Sequence, residues 1–255
     1  MRIDVLTIFP DMVEQGLRYG VIDRARQAGT WHLKAWNLRD YAGNRYGSID
    51  DRPFGGGPGM VMRPEPLESA YQAVCAEAQT VPHFIYLSPQ GQPLNQSKVI
   101  ELATRSHIVL LAGRYEGVDE RFLDMRVNEE ISLGDYVLTG GELPAMVLID
   151  AVVRQLPGVL EPDSLEQESF VRDCLDCPHY TRPRVYNGVS APEVLFSGDH
   201  EAIRQWRLKQ SLGRTWLRRP DLLERNPLAH NEKQCLEVFK KEHLNLHGNS
   251  KKRDT

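Results

Sequence analysis

Short apolar runs alternate with helical stretches along the first two-thirds of the chain, and this alternation limits the possible folds more than any other feature. Apolar residues are nearly continuous within the runs, as expected of strands covered on both faces. The predicted strands are Ile3–Phe9, His32–Trp36, Phe84–Leu87, Ile108–Ala112 and Glu130–Leu133. The predicted helices between them are Met12–Gln27, Pro66–Ala78, Ser97–Thr104 and Leu143–Gln155. This order predicts an α/β domain with a mostly parallel sheet.

The alternation ends near Pro157-Gly158. The stretch that follows is acidic and shows little apolar periodicity, which is typical of a linker or a lid. Farther on, helices are predicted at His200–Leu212, Leu217–Leu223 and Glu232–Leu244. We therefore predict a first domain at residues 1–158, a flexible linker at 159–175 and a small all-α domain at 176–255.

Composition limits the partners and the compartment. With a formal net charge of -4, any RNA must be held by a local basic patch rather than by the whole molecule. No apolar run approaches the ~18 residues needed to cross a bilayer. Asp4 stands where the apolar part of a secretory signal would begin, and the four cysteines are expected to be reduced. We expect a cytoplasmic protein with no membrane partner and no DNA partner.

Glycine-rich loops are the first candidates for a binding site. The segment Gly55-Gly56-Gly57-Pro58-Gly59 is not a P-loop, since no Gly-Lys-Ser/Thr follows, and it lacks the spacing of a dinucleotide-binding loop. It is either a tight turn or a close approach of the backbone to a ligand. Three more loops, Leu87–Gly91, Ala112–Gly117 and Leu133–Glu142, follow predicted strands. Because ligands bind outside the carboxyl ends of parallel strands, these three loops predict one composite pocket.

A basic stretch without acids runs from Ile203 to Arg219. A charge run is usually a solvated helix face, but segregated positive charge in an acidic chain favours contact with phosphates. Trp206 and Trp216 lie within the stretch, and we interpret them as core anchors more readily than as base-stacking platforms.

The segment Cys174-Leu175-Asp176-Cys177-Pro178-His179 contains a Cys-x-x-Cys pattern. Such a pair is found in redox proteins and in zinc sites. A structural zinc site uses four ligands, and no second pair is obvious in the sequence. Metal or redox chemistry is therefore the weakest of the functional interpretations.

Several long motifs together resemble a known family. The motifs are Asp51–Met60, Tyr86–Gly91, Gly113–Gly117, Gly134–Tyr136, Gly140–Met146, Cys177–Pro183 and Trp206–Trp216. Motifs of this length and order are specific, whereas a single glycine loop is not. Over nearly its whole length the chain resembles the bacterial tRNA (guanine-N1)-methyltransferases that modify guanosine 37, the TrmD family of the SPOUT superfamily.

The resemblance implies features that composition and spacing do not show. It implies a SPOUT-type sheet with a deep trefoil knot, which is a rare topology. It implies S-adenosyl-L-methionine as the methyl donor, bent inside the knot, and an obligate homodimer whose active sites draw on both subunits. It also implies that the helical domain grips the tRNA anticodon arm and that the reaction depends on Mg²⁺, whose ligands stay unassigned.

Residues can be assigned to these roles by position. Carried over from the family, the donor-binding residues are Tyr86, Leu87, Ser88, Pro89, Gln90, Gly91, Gly113, Tyr115, Glu116, Leu133, Gly134, Tyr136, Val137, Leu138, Gly140, Gly141 and Pro144. The predicted RNA-binding residues are Gly55, Gly56, Gly57, Arg204, Arg207, Lys209 and Arg214.

The expected reaction needs a base and a cation. Guanine N1 carries a proton at neutral pH, which a carboxylate can remove, and the charge that spreads to O6 is stabilised by a positive group. The resemblance implies Arg154 as that positive group. The family's base is an aspartate followed by Ser-Phe, whereas this chain has Glu168-Ser169-Phe170. We predict that Glu168 keeps the role of the base, with Asp176 as the second candidate.

Other interpretations stay open at this point. By residue type alone, Arg154 only complements a helix dipole and Glu168 is only solvated. A ribose 2′-O-methyltransferase on the same scaffold would need neither the acid before Ser-Phe nor the helical domain. A protein of a different class, a non-catalytic RNA-binding protein, would not bind S-adenosylmethionine at all.

Overall fold

The computed structural model describes residues 1–166, 168–225 and 227–248. The chain divides into two compact units, residues 1–161 and 162–255. The end of the predicted helical domain, residues 249–255, lies outside the described residues. The roles predicted for the two units, donor binding and tRNA binding, stay predictions.

The first unit is built on a parallel sheet. Its strands are β1 (Arg2–Thr7), β2 (His32–Asn37), β3 (Asp50–Asp51), β4 (Val61–Met62), β5 (His83–Pro93), β6 (His107–Ala112) and β7 (Glu129–Ser132). Five of them form one sheet in the order β2-β1-β6-β5-β7, and every neighbouring pair is parallel. Strands β3 and β4 pair separately and antiparallel. The prediction of a mostly parallel sheet is confirmed, and each predicted strand corresponds to one of its members.

The helices of this unit are α1 (Pro10–Gly16), α2 (Gly20–Gln27), α3 (Pro64–Ala78), α4 (Gln96–Ala103), α5 (Glu120–Arg126) and α6 (Glu142–Val153). The single helix predicted at Met12–Gln27 is wrong, because the chain breaks it before Gly20, whose φ is +70°. Helix α4 begins as expected: the side chain of Asn95 accepts a hydrogen bond from the backbone of Lys98 at 2.9 Å. Helix α5 was not predicted.

The sheet is covered on both faces, which explains the nearly continuous apolar runs. All six residues of β6 are buried. Successive side chains of a strand point to opposite faces. Accordingly, Ile108 and Leu110 pack into a cluster with α1, α2, α4 and α6, whereas Val109 and Leu111 pack into a cluster with α3 and α5.

The second unit is mainly helical, with α7 (Pro162–Glu166), α8 (His200–Arg218), α9 (Pro220–Arg225) and α10 (His230–Gly248). It is not all-α, so that prediction is corrected. Strands β8 (Val185–Tyr186) and β9 (Val189–Ser190) form an antiparallel hairpin. Asn187 and Gly188 turn the hairpin with φ angles of +49° and +78°. Asn-Gly favours this two-residue turn, and it is the signal that the prediction overlooked.

The segment predicted as a flexible linker, 159–175, contains α7 and a hydrogen-bonded loop. The amide of Phe170 donates to the carbonyl of Cys174 at 2.8 Å, and the amide of Asp176 donates to the hydroxyl of Ser169 at 2.9 Å. Whether this segment moves in solution stays a prediction. None of the described helices is long and apolar enough to cross a membrane.

A buried carboxylate joins the amino-terminal part of the sheet. Asp4 on β1 is fully buried and accepts hydrogen bonds from Arg2 at 2.6 Å, Trp36 at 2.6 Å and His107 at 2.7 Å. Burial by itself raises the pKa of Asp4, but the hydrogen bonds from His107, Arg2 and Trp36 outweigh it and lower the pKa below the ordinary 3.8. The ionised carboxylate therefore stabilises the fold.

We expect Asp4→Asn to lower the free energy of unfolding by about 2 kcal/mol at pH 7. The side-chain NH₂ group of asparagine would face Arg2, Trp36 and His107, which themselves donate hydrogen bonds at this position. Since the pKa is lower in the folded protein, the stabilisation is complete above the unfolded pKa near 3.8 and is lost as the pH falls through the folded value. Urea unfolding of both proteins from pH 7 to pH 3 measures the difference.

Asp124→Asn is the matched control, because Asp124 is exposed on α5. Its unfolding energy should equal that of the wild type at every pH. A deficit in Asp4→Asn that does not shrink in acid would show that the charge of Asp4 is not what stabilises the sheet.

Candidate active site

A cavity of about 290 Å³ lies at the carboxyl ends of β5, β6 and β7. Three segments line it: residues 86–90, where β5 is irregular, and residues 113–117 and 131–141 at the ends of β6 and β7; Pro144 of α6 adds one wall. Because parallel strands end on the same edge of a sheet, loops that are distant in sequence meet there. The composite pocket predicted from the sequence is therefore present as a cavity.

Strand β5 is irregular where it lines the cavity. Its pairing with β7 shifts register between Leu87 and Gln92, and the hydroxyl of Ser88 accepts from the amide of Gln90 at 3.1 Å. Gly91 approaches β7 so closely that a Cβ atom would lie 2.5 Å from the backbone of Ile131. Only glycine fits this position, and Gly91 does not line the cavity.

The loop after β6 connects the cavity with the glycine-rich segment 55–59. The amide of Glu116 donates to the carbonyl of Met60 at 2.9 Å, and the amide of Met62 donates to the carbonyl of Gly117 at 2.9 Å. A Cβ on Gly59 would lie 2.2 Å from the carboxylate of Glu116. The position of Glu116, which lines the cavity, thus depends on a neighbour without a side chain.

The loop after β7 contacts the loop after β6. The amide of Gly141 donates to the carbonyl of Gly113 at 2.9 Å. A Cβ on Gly141 would lie 2.6 Å from the Cα of Ala112. Glycine is required here by the close contact of two backbones, because a backbone cannot move aside as a flexible side chain does.

A buried ion pair fixes the start of α6 beside the cavity. Glu142 is fully buried, and its carboxylate accepts from the Thr7 hydroxyl at 2.7 Å and from Arg114 at 2.7 and 2.9 Å. Arg114 also donates to the carbonyl of Thr139 at 3.0 Å, and its guanidinium lies 4.6 Å from the centre of the Phe9 ring. This Glu142 cluster joins the end of β1 to two of the three loops.

Tyr86 supplies a neutral hydroxyl to the cavity. Burial, with a smaller contribution from the charges of Glu130 and Glu120, raises the pKa of Tyr86 to about 12. No hydrogen bond to this hydroxyl exists among the described residues. A hydroxyl in a cavity wall, with no hydrogen-bond partner among the described residues, is suited to a ligand that carries a polar atom.

The predicted donor-binding residues come together, with one exception. Every one of them lines the cavity except Gly91. Five further residues line it and were missed: Arg114, Gly117, Ile131, Ser132 and Thr139. Of these, Arg114, Gly117 and Thr139 lie within predicted loops. The signal that could have found Arg114 is an arginine between two glycines at a strand end.

The predicted catalytic residues lie in both units. Arg154 is half-buried at the end of α6, where its amide donates to the carbonyl of Asp150 at 3.2 Å. Glu168 and Asp176 are half-buried in the loop between α7 and α8. Asp176 accepts from the amide of Cys177 at 2.6 Å and pairs with His179 at 2.8 Å.

The predicted RNA-binding residues fall into three groups. Gly55, Gly56 and Gly57 are exposed, with positive φ angles. On α8, Arg204 pairs with Glu201 and Lys209 pairs with Glu242. Arg207 and Arg214 form no ion pair with any described residue. These last two cations are the best placed to meet phosphates.

A metal site is weakly supported. Ligand atoms of Asp176, Cys177 and His179 lie within 4.8 Å of one another. However, burial raises the pKa of the Cys177 thiol, and the Asp176 carboxylate raises it further, whereas a metal binds the thiolate. The described cysteines are all free thiols, so neither a zinc centre nor a disulfide is assigned.

Comparison with known proteins decides what this site belongs to. The profile of the family described as tRNA (guanine-1)-methyltransferase TrmD matches residues 1–225. The chain belongs to this family. TrmD proteins are SPOUT methyltransferases, which agrees with the mostly parallel sheet of the first unit.

Individual relatives resemble the chain over nearly its full length, and all three described here are named tRNA (guanine-N(1)-)-methyltransferase. The Chromobacterium violaceum protein is 53% identical over 247 residues, covering 95% of this chain and 97% of the relative. The Pseudomonas savastanoi pv. phaseolicola protein is 56% identical over 243 residues, covering 95% and 97%. The Halorhodospira halophila protein is 55% identical over 243 residues, covering 95% and 92%.

We expect Glu142→Gln to weaken binding of S-adenosylmethionine at least tenfold and to lower the free energy of unfolding by about 3 kcal/mol, because it leaves the guanidinium of Arg114 without a buried counter-charge. Calorimetric titration and urea unfolding measure the two effects.

Glu101→Gln is the control, since Glu101 forms only surface ion pairs with Lys98 and Arg105. It should leave donor affinity unchanged. Wild-type affinity in Glu142→Gln would show that the cluster does not shape the cavity.

Proposed function

We propose that this protein transfers a methyl group from S-adenosyl-L-methionine to N1 of guanosine 37 in tRNA. The observation that carries the proposal is the TrmD family match over residues 1–225, which includes every loop of the cavity. The relatives are named for methylation of a guanine base, which favours this reaction over ribose 2′-O-methylation. It likewise favours an enzyme over a non-catalytic RNA-binding protein.

The cavity suits the proposed donor. Exposed backbone groups of three glycine-bearing loops can hydrogen-bond the edge of an adenine ring. The Tyr86 hydroxyl offers a donor that no described residue uses, and the carboxylate of Glu116 can balance a positive charge. The donor supplies an electrophilic methyl group on a sulfonium. The protein's part is to hold that group in line with the attacking nitrogen.

Two groups of the chain are proposed to act on guanine. Glu168 removes the proton from N1, and the negative charge that develops spreads to O6, where the guanidinium of Arg154 stabilises it. The electron pair of N1 then bonds the methyl carbon as the bond from that carbon to sulfur breaks, and the neutral thioether would leave. Asp176 is the alternative base, and its carboxylate accepts from the amide of Cys177 and pairs with His179. Glu168 is preferred because it precedes Ser169-Phe170, as the family's aspartate does.

RNA binding is proposed for the second unit. Arg207 and Arg214 of α8 contact phosphates of the anticodon arm, so binding weakens as salt rises. The target guanine leaves the stack of the anticodon loop to reach the donor, since bases in single-stranded loops are accessible to proteins. The exposed glycines 55–57 allow the RNA backbone to come close.

The remaining family features are part of the proposal. For the trefoil knot, the support is the family match together with the close backbone contact of the loops after β6 and β7, where Gly141 donates to Gly113. A homodimer is supported by the exposed apolar side chains of Leu143 and Val147 on one face of α6. Dependence on Mg²⁺ is proposed from the family, and its ligands are not assigned. A tRNA substrate and free thiols support a cytoplasmic location.

We expect Glu168→Gln to abolish methyl transfer, because an amide cannot accept the N1 proton. Glu168→Asp should retain activity, because the family uses aspartate at this position. Single-turnover assays with saturating tRNA and S-adenosylmethionine measure the rates. Equal rates for glutamate, glutamine and aspartate would exclude Glu168 as the base, and Glu224→Gln on an exposed site of α9 controls for loss of charge.

The reaction itself is tested with two tRNAs that differ only at position 37. We expect the tRNA with guanosine 37 to gain one methyl group, identified as 1-methylguanosine by nucleoside mass spectrometry. The tRNA with adenosine at this position should gain none. A methyl group on a ribose, or equal methylation of both tRNAs, would contradict the proposal.

A further inference from the structure

The loop that carries Glu168 is held by helix α8. The amide of Leu175 donates to the hydroxyl of Thr215 at 2.9 Å, and the hydroxyl of Ser211 donates to the carbonyl of Leu175 at 2.6 Å. Both backbone groups of Leu175 are therefore bonded to side chains of α8. Thr215 is fully buried and donates in turn to the carbonyl of Ser211 at 2.8 Å, which fixes its hydroxyl.

Hydrogen bonds within the loop extend this anchor to the residue beside Glu168. The amide of Asp176, next to Leu175, donates to the hydroxyl of Ser169 at 2.9 Å. The amide of Phe170 donates to the carbonyl of Cys174 at 2.8 Å. These two hydrogen bonds connect the anchored part of the loop, at residues 174–176, with the part that begins at Glu168.

The anchor lies on the basic face of α8. With 3.6 residues per turn, Ser211 is one turn after Arg207 and three residues before Arg214, so these three side chains share a face. Arg207 and Arg214 are also the cations that form no ion pair with a described residue. Ser211, which holds the loop, therefore shares a face with the two cations suited to phosphates, whereas Thr215 is buried one turn after Ser211.

We propose that Ser211 and Thr215 are positioning residues for methyl transfer: they make the loop that carries Glu168 part of the RNA-binding helix. Docking of RNA phosphates on α8 then also places the carboxylate of Glu168, because the loop and the helix are joined by hydrogen bonds. The inference rests on the proposed function, in which Glu168 is the base. Misplacement of a reacting group by about 1 Å can lower a rate by about a hundredfold.

The test uses Ser211→Ala and Thr215→Val in the full-length protein. Neither change opens a cavity of note, and alanine favours the helix, so α8 should stay folded. We expect the single-turnover rate at saturating tRNA and donor to fall at least tenfold in each variant. The dissociation constants for tRNA and S-adenosylmethionine should stay within about twofold. Thr215→Ser, which keeps the hydroxyl, should restore the rate.

Ser197→Ala is the matched control. The hydroxyl of Ser197 likewise bonds the backbone within this unit: it donates to the carbonyl of Val194 at 2.8 Å and accepts from the amide of Asp199 at 3.1 Å, but it forms no hydrogen bond with a described residue of the loop. Its rate should equal that of the wild type. A wild-type rate in Ser211→Ala and Thr215→Val would overturn the proposal. A rate that falls only in parallel with tRNA affinity, or that Thr215→Ser does not restore, would also overturn it.

Hydrogen exchange on the same proteins separates failure of this inference from failure of the proposed function. The anchor predicts faster exchange at the amides of Leu175 and Asp176 in both variants, whether or not any tRNA is methylated. A wild type that does not methylate guanosine 37 refutes the proposed function alone. Unchanged exchange in the variants refutes the anchor alone.

Discussion

The Glu142 cluster is the interaction on which the cavity depends. A fully buried carboxylate is tolerated only with close partners, and here Arg114 and Thr7 provide them at 2.7 to 2.9 Å. Those partners come from the ends of two parallel strands, so one charge pair joins β1, β6 and α6. The same guanidinium bonds the carbonyl of Thr139 and thereby holds the loop after β7 against the loop after β6. The parallel sheet brings these segments to one edge, and the ion pair fixes their distance.

Sequence patterns predicted the sheet well because a parallel sheet covered on both faces leaves a strong local signal. The six buried residues of β6 form one apolar run. Prediction failed where the deciding interaction was short or local. One glycine with positive φ divides the predicted helix Met12–Gln27, and the hairpin of the second unit depends on Asn187 and Gly188 alone. A two-residue turn between two-residue strands has too little apolar pattern to be recognised.

The candidate site was partly predictable for the same reason. Loops at strand ends could be listed from the sequence, so most residues of the cavity were foreseen. The pairing of Arg114 with Glu142 was not foreseen, because the two residues are distant in sequence and only the contact between two loops brings them together. The attachment of the 168–177 loop to α8 was missed too, since Ser211 and Thr215 look like ordinary helix residues. A segment interpreted as a linker is hydrogen-bonded to α8.

The central claim is that the methyl donor occupies the cavity at the carboxyl ends of β5, β6 and β7. The most direct measurement is a crystal structure of the protein grown with S-adenosylhomocysteine, the demethylated product of the donor. The account predicts electron density for the nucleoside between the three loops, with a polar atom of the product bonded to the hydroxyl of Tyr86. Density for the product elsewhere on the protein, with the loops closed against each other, would contradict it.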